Sequence, residues 1–453
     1  MPAQIHYFTL KDETPRKDKL DWFRDNALSS IELQRIHPDE KGNWLNITDN
    51  DFETLLPLAS KEVKGNKAGP EFDKAVFKLF FTGVPTNRDE WVYDLNKDNL
   101  AKKMHFFSET YNANLGSQEF NLEIKWSRDL KNEHSRGNKS KFSTNLIVNG
   151  MYRPFFKVFH YAEKLLNDVL TQNHYDVFGK ELTNKTNKVI AIPGVGIDRP
   201  YHVIAIKDLP HLQLTPNGQC LPLYRYDEKG NRIENITDWG LEQFMNQYPQ
   251  LKGVPPSGVR GLIFHYVYAV LHNPAYRKKY EQNLKREFPR IPFYDDFEKW
   301  AAWGKDLMEL HINYENISLF PLNRVERVIS QAVSSDQRQL FARVEEVEPL
   351  YRPEVKIKPK LKADKEVGTI EIDEQTTLTG IPTEAWAYKL GNRSALEWVL
   401  DQYKESKPTD PTILEKFNTY RFADYKEEVI ILLQKVCTVS VETMKIIRAM
   451  EAE

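Results

Sequence analysis

The chain reads as an α+β protein of several subdomains, with a mixed strand-rich recognition core and an extensive helical block. Three observations predict this. Between about residues 121 and 235, short apolar runs such as "LIV", "VIAIPGVGI" and "YHVIAI" alternate with Asn, Gly, Pro and Asp, the pattern of strands joined by exposed turns. From residue 236 the period changes: Phe264, Val267, Tyr268 and Leu271 fall at i, i+3, i+4 and i+7, one helical stripe. At 453 residues, 40% hydrophobic and 12% aromatic, the chain can also bury two or three domain cores and is not a disordered polymer.

Taken in order, residues 1–120 form a mixed segment. "FETLLPLA" (Phe52 to Ala59) and "DNLAKKMHFFSETYN" (Asp98 to Asn112) space their apolar residues as helices do. Between them an apolar run ends in a Gly-Val-Pro turn, and "TNRDEW" follows. Thr86 and Asp89 there have capping-box spacing, while Asn87 and Arg88 stand on a polar tip. Residues 121–235 are the strand-rich core. Residues 236–335 are the helical block, continued by "DFEKWAAWGKDLMELH". Residues 336–453 are mixed. In "EVKIKPKLK", Val355, Ile357 and Leu361 alternate with Lys356, Lys358, Lys360 and Lys362, and Pro359 places this strand at a sheet edge. "SALEWVLDQY" opens with a Ser394–Glu397 capping box, and "DYKEEVIILLQKV" supplies a last amphipathic helix.

Several function classes lose their footing. No apolar run approaches the 18 or so residues of a membrane span. The N-terminal stretch has no apolar signal region, and Cys220 and Cys437 have no CxxC partner, so a reducing, cytoplasmic setting is expected. His265 and His272 lie seven apart, and His311 is followed by Glu315 at i+4; neither pair makes a zinc set. "IPGVGID" and "NPAY" mimic an adenine methyltransferase, whose Gly-rich loop holds the methyl donor and whose Asn-Pro-Pro-aromatic turn grips a flipped base. Ala275 replaces the second proline, however, and Pro274 suits the first position of a helix.

With 63 basic and 65 acidic residues, a polyanion could be held only by local charge segregation. Residues 124–157 provide it. Lys125, Arg128, Lys131, Arg136, Lys139, Lys141, Arg153 and Lys157 face only Asp129 and Glu133, with Trp126, Phe142, Tyr152, Phe155 and Phe156 interleaved. Phosphate-tracking surfaces need such cations beside small polar donors. A solvated face over a packed core would produce the same pattern, and both readings stay open on composition.

Eight stretches in order carry a resemblance: "GVPTNRDEWVYD", "IKWSRDLK", "YRPFFK", "QCLPLYRYD", "IFHYVYAVLHNPAYRKKYEQNLKREFPRIP", "DFEKWAAWGKDLMELHINYE", "GIPTEAWAYKLGNRSALEWVLDQY" and "VCTVSVETM". From about Thr82 to Met444 the chain resembles the C-terminal target-recognition region of the single-chain type ISP restriction-modification enzymes. It departs from commoner relatives at "YKLGNRSALEWVLDQYK", which leaves its DNA specificity open. The resemblance implies sequence-specific recognition of double-stranded DNA in service of an adenine-N6 methyltransferase, in cis or in trans, with no catalysis in this chain. GxxxxGK[ST], FxGxG and NPP[YF] motifs are missing, so S-adenosylmethionine, ATP and Mg²⁺ would belong to upstream domains. The chain would then be an excised region or a stand-alone specificity polypeptide. Two rivals are a divergent S-adenosylmethionine-dependent methyltransferase and an interaction module that binds no DNA.

Base readout needs Arg or Lys on guanine and Asn or Gln on adenine. The expected readers are Asn87, Arg88, Arg128, Arg136, Asn138 and Asn145. Lys131, Lys139, Lys141 and Lys157 are expected on phosphates, with Lys125 and Arg153 in the same DNA-facing set. The lysine strand is either a second backbone contact or edge protection, and edge protection is the preferred reading.

Overall fold

The computed structural model describes residues 4–11, 14–38, 44, 50–183, 187–327 and 357–453. Its centre is a sheet of four short strands in the order Phe81–Thr82, Gln219–Pro222, Val189–Ile192 and Ile204–Ile206, all neighbours antiparallel. Successive side chains of a strand point to opposite faces. Val189, Ala191, Ile204, Ile206 and Cys220 accordingly join one apolar cluster, and Ile190, Ile192, Val203, Ala205 and Leu221 join another. Both faces are covered, which is why "VIAI" is apolar throughout instead of alternating with polar residues.

The helical block covers one face. Helices Pro256–Val270 and Phe297–Ile312 pack side by side, and Phe264, Val267, Tyr268 and Leu271 have no exposed surface. Gly304 sets their approach: a Cβ there would lie 1.8 Å from the His265 carbonyl oxygen, so only glycine fits. The other face meets a second sheet, ordered Leu209–Pro210, Ile147–Arg153, Phe156–Tyr161 and Tyr93–Asp94, with Leu209–Pro210 running parallel to Ile147–Arg153. Helix Lys97–Asn114 packs against this sheet through Leu100, Met104, Phe107 and Tyr111. The C-terminal helix Lys426–Glu451 spans both clusters, Val429 to Val439 in one and Met450 in the other.

A third sheet has the order Asn323–Glu326, Thr376–Thr379, Thr369–Asp373 and Pro359–Asp364. The lysine strand therefore does lie at an edge, with Leu361 buried and Lys358, Lys360 and Lys362 exposed around an irregular register. Glu354 to Lys356 lie outside the described residues. The Ser394–Glu397 capping box is formed at helix Ala395–Gln402. One expectation fails. Phe52 to Ala59 is a single 3₁₀ turn, Phe52–Thr54, followed by strand Leu56–Pro57 paired to Arg290–Ile291. Pro57 lacks an N–H and drives Leu56 out of the helical region, which overrides the apolar spacing.

Candidate nucleic-acid interface

The basic segment is built around an ordered helix, Arg128–Ser135, inside the strand-rich region. Ser127 caps it by accepting the Leu130 amide at 3.2 Å. Leu130 and His134 are buried on one side, and the Trp126 indole donates to the Asn121 carbonyl at 2.8 Å. The chain beyond is pinned by Ser140, which is buried between the Ser108 hydroxyl and the Glu163 carboxylate, each at 2.8 Å. Pinning Ser140 inward turns Lys139 and Lys141 outward.

The exposed set is therefore Lys125, Arg128, Lys131, Arg136, Asn138, Lys139 and Lys141. Lys131 lies 4.7 Å over the Phe120 ring, Arg128 pairs with its neighbour Asp129, and Arg136 and Asn138 share Glu133. Among the described residues Lys125, Lys139 and Lys141 form no ion pair, and all three are exposed. The interleaved aromatics are mainly packing: Phe155 and Phe156 are buried, and Trp126, Phe142 and Tyr152 lie against the same core.

Three expectations need correction. Arg88 is not free to reach a base: its side chain is fully buried, 2.9 Å from Asp168, and donates to the Leu166 carbonyl and the Ser127 hydroxyl. Burial pulls its pKa down, partly offset by the Asp168 carboxylate. A guanidinium with no carboxylate in reach would be too costly to bury there. Lys157 is only partly exposed and is paired with both Glu315 and Asp208, so its charge is already engaged. Arg153 is half-buried, stacked 4.0 Å over Tyr152 and donating to His211 Nδ1 at 2.8 Å. Asn145 is exposed but lines a separate cavity with Lys97 and Lys180.

Asn87 does stay exposed, at φ 55°, and its amide donates to Asp168 at 2.6 Å. Asp168 also accepts from Ser127 at 2.8 Å. One buried carboxylate thus ties the Asn87 tip, Arg88 and the cap of the cationic helix together. Beside this knot opens a cleft of about 490 Å³ lined by Asn87, Asp89, Glu90, Lys125, Tyr152, His211, Gln213 and Thr409, among others. Its floor is rigid. Asp89 accepts from Thr86, from Tyr152 at 2.9 Å and from His211 Nε2 at 3.1 Å. Burial alone would raise the Asp89 pKa, but these donors, His211 foremost, outweigh it and keep the carboxylate ionised. Gln213 and Thr409 carried no local signal, since they reach the cleft only through tertiary pairing. The Pro216-Asn217-Gly218 turn signal marks the Gln213 loop as exposed but does not locate it.

The methyltransferase-like features have structural occupations. Asn273 is buried, caps helix Pro274–Lys279 through the Ala275 amide at 2.9 Å and donates to Tyr294. Pro274 takes the first helical position, as expected. His311 bonds Tyr268 and Thr443, and Glu315 pairs with Lys157 instead of His311. Among the described residues no three His, Cys, Asp or Glu side chains converge as a metal set. Nor is any described helix long and apolar enough to cross a membrane.

Residues 75–432 match the type ISP C-terminal specificity domain, and the chain belongs to that family. Three solved structures are similar to it. A DrdV–DNA complex determined by cryo-electron microscopy is 42% identical, with a TM-score of 0.80 over 95% of this chain and 42% of that one. A nuclease-deletion mutant of the type ISP restriction-modification enzyme LlaGI, in complex with a DNA substrate mimic, is 27% identical, with a TM-score of 0.73 over 98% of this chain and 39% of that one. The ATP-dependent type ISP enzyme LlaBIII bound to DNA is 26% identical, with a TM-score of 0.70 over 92% and 25%. The chain thus spans less than half the length of each. A comparison with curated proteins gives no match.

Proposed function

We propose that this chain reads the sequence of duplex DNA for an adenine-N6 methylation and restriction system, and that it performs no catalysis itself. The observation that carries this reading is its membership of the specificity-domain family, supported by likeness to proteins whose structures hold DNA. S-adenosylmethionine, ATP and Mg²⁺ would serve methyltransferase and motor domains joined in cis or in trans. Such a domain would dock near the N-terminus, where helix Arg16–Asp25 buries none of its residues and leaves the apolar Leu20 and Phe23 exposed. The methyltransferase alternative is disfavoured because Asn273 is committed as a helix cap.

Phosphate contacts would come from Lys125, Arg128, Lys131, Lys139 and Lys141, held on a scaffold that fixes their spacing. Each cation that neutralises a phosphate releases counterions, so affinity falls with salt by about 0.9 log units per log unit of salt. If all five engage, the slope approaches about −4.5. Titration of a labelled duplex by fluorescence anisotropy from 50 to 200 mM salt, on the order used for such measurements, tests this. Binding with a slope near that value is expected; no binding, or binding indifferent to salt, would overturn the reading.

A further inference from the structure

We infer that the cleft beside the cationic helix is where base edges are read, and that Gln213 is a specificity-determining residue for adenine. This rests on the proposed DNA-binding role and names a reader within it.

The first support is backbone geometry. Val84 and His211 form a parallel bridge, Leu212 donates to the Val84 carbonyl at 3.1 Å, and Val84 donates to Pro210 at 2.8 Å. Because the bridge is parallel, both segments leave it in the same direction. Three residues on is Asn87; two residues on is Gln213. Both therefore reach the wall of the same cleft, which each of them lines. The pairing is tight: a Cβ on Gly83 would lie 2.4 Å from the His211 carbonyl oxygen, so glycine is required for the two segments to meet.

The second support is the state of the two carboxamides. Gln213 Nε2 donates to Asn217 Oδ1 at 3.2 Å, and Asn87 Nδ2 donates to Asp168. Each amide has two N–H groups. One bond orients the group and leaves one N–H and one carbonyl oxygen, the donor–acceptor pair that adenine N7 and N6 require in the major groove. Asn87 adds a left-handed backbone, φ 55°, held in place by the buried Asp168 knot. Strain maintained by surrounding structure is typical of recognition sites. Lys125 on the same cleft supplies a cation where the duplex backbone would pass.

The test uses Gln213→Ala, because Gln213 is exposed and the substitution leaves the cleft floor untouched. Duplexes retained from a random-sequence pool are sequenced for the wild-type chain and for the variant, and the salt slope of each is measured. One A·T position should lose preference by roughly tenfold in the variant, with every other position and the salt slope unchanged. Gln213→Glu, which keeps the acceptor and loses the donors, should shift that same position toward C·G. An unchanged profile for Gln213→Ala would overturn the inference. So would a uniform loss across all positions with a shallower salt slope, which would make Gln213 a phosphate contact. If the wild-type chain binds but enriches no motif, it is the proposed sequence-reading function that fails, a result distinct from the loss of one position.

Discussion

Replacing Arg88 by methionine gives the sharpest energetic test of the buried knot. The Arg88 side chain has no exposed surface and that of Asp168 is 4% exposed, so removing the cation strands a carboxylate away from water. Breaking such a buried pair costs about 3–5 kcal/mol. Ser127 and Asn87 still donate to Asp168, which favours the lower end, whereas the Leu166 carbonyl loses its donor, about 1 kcal/mol more. The expected loss is therefore about 4 kcal/mol. Removing both charges in Arg88→Met with Asp168→Leu should recover half or more of it, because the desolvation cost disappears with the pair. Urea unfolding followed by the combined fluorescence of the chain's nine tryptophans reads all three proteins. A single variant as stable as wild type, or a double variant no better than the single, would refute the reasoning. Weakened DNA binding at undiminished stability would return Arg88 to the role of a base reader.

Other consequences follow from the same geometry. Lys139→Ala with Lys141→Ala should weaken binding to all duplexes alike and flatten the salt slope by about 1.8 if both meet phosphates; an unchanged slope would remove them from the interface. Ser127→Ala deletes a helix cap and one Asp168 donor, so it should cost about 1–2 kcal/mol in a denaturant titration. Gly83→Ala should destabilise by about 1–3 kcal/mol and blur base preference, since the added methyl meets backbone that cannot rotate away. Burial pushes His160, His174 and His202 down to about 4 and His311 to about 3. The unfolded chain takes up protons first on acidification, so this stability is complete above pH ~6.5 and falls toward pH ~4, by about 1.4 kcal/mol per pH unit for each imidazole. Melting temperatures flat between those pH values would contradict the neutral, buried state of these rings.

What could be read from the sequence depended on how local the cause was. The Phe264–Leu271 stripe is set by helical period, and the structure places it wholly inside. The lysine strand betrayed its edge position through Pro359 and its exposed lysines. Phe52 to Ala59 misled because its spacing suits a helix while Pro57 forbids one. In the basic segment the charge pattern marked the exposed face of helix Arg128–Ser135, yet it could not separate Lys139 from Lys157. That difference lies in Asp208 and Glu315, on distant elements. Arg88 looked like a free guanidinium because Asp168, its partner, enters only through folding. Gln213 stayed hidden for the same reason: the parallel bridge between Val84 and His211 has no trace in local composition.

The central claim, that this chain itself distinguishes one DNA sequence from another, is tested most directly by selecting duplexes from a random-sequence pool with the isolated chain near physiological salt. Enrichment of one short asymmetric motif is the predicted result. Retention of the pool without enrichment would reduce the chain to a grip on the phosphate backbone, and that outcome would contradict the account.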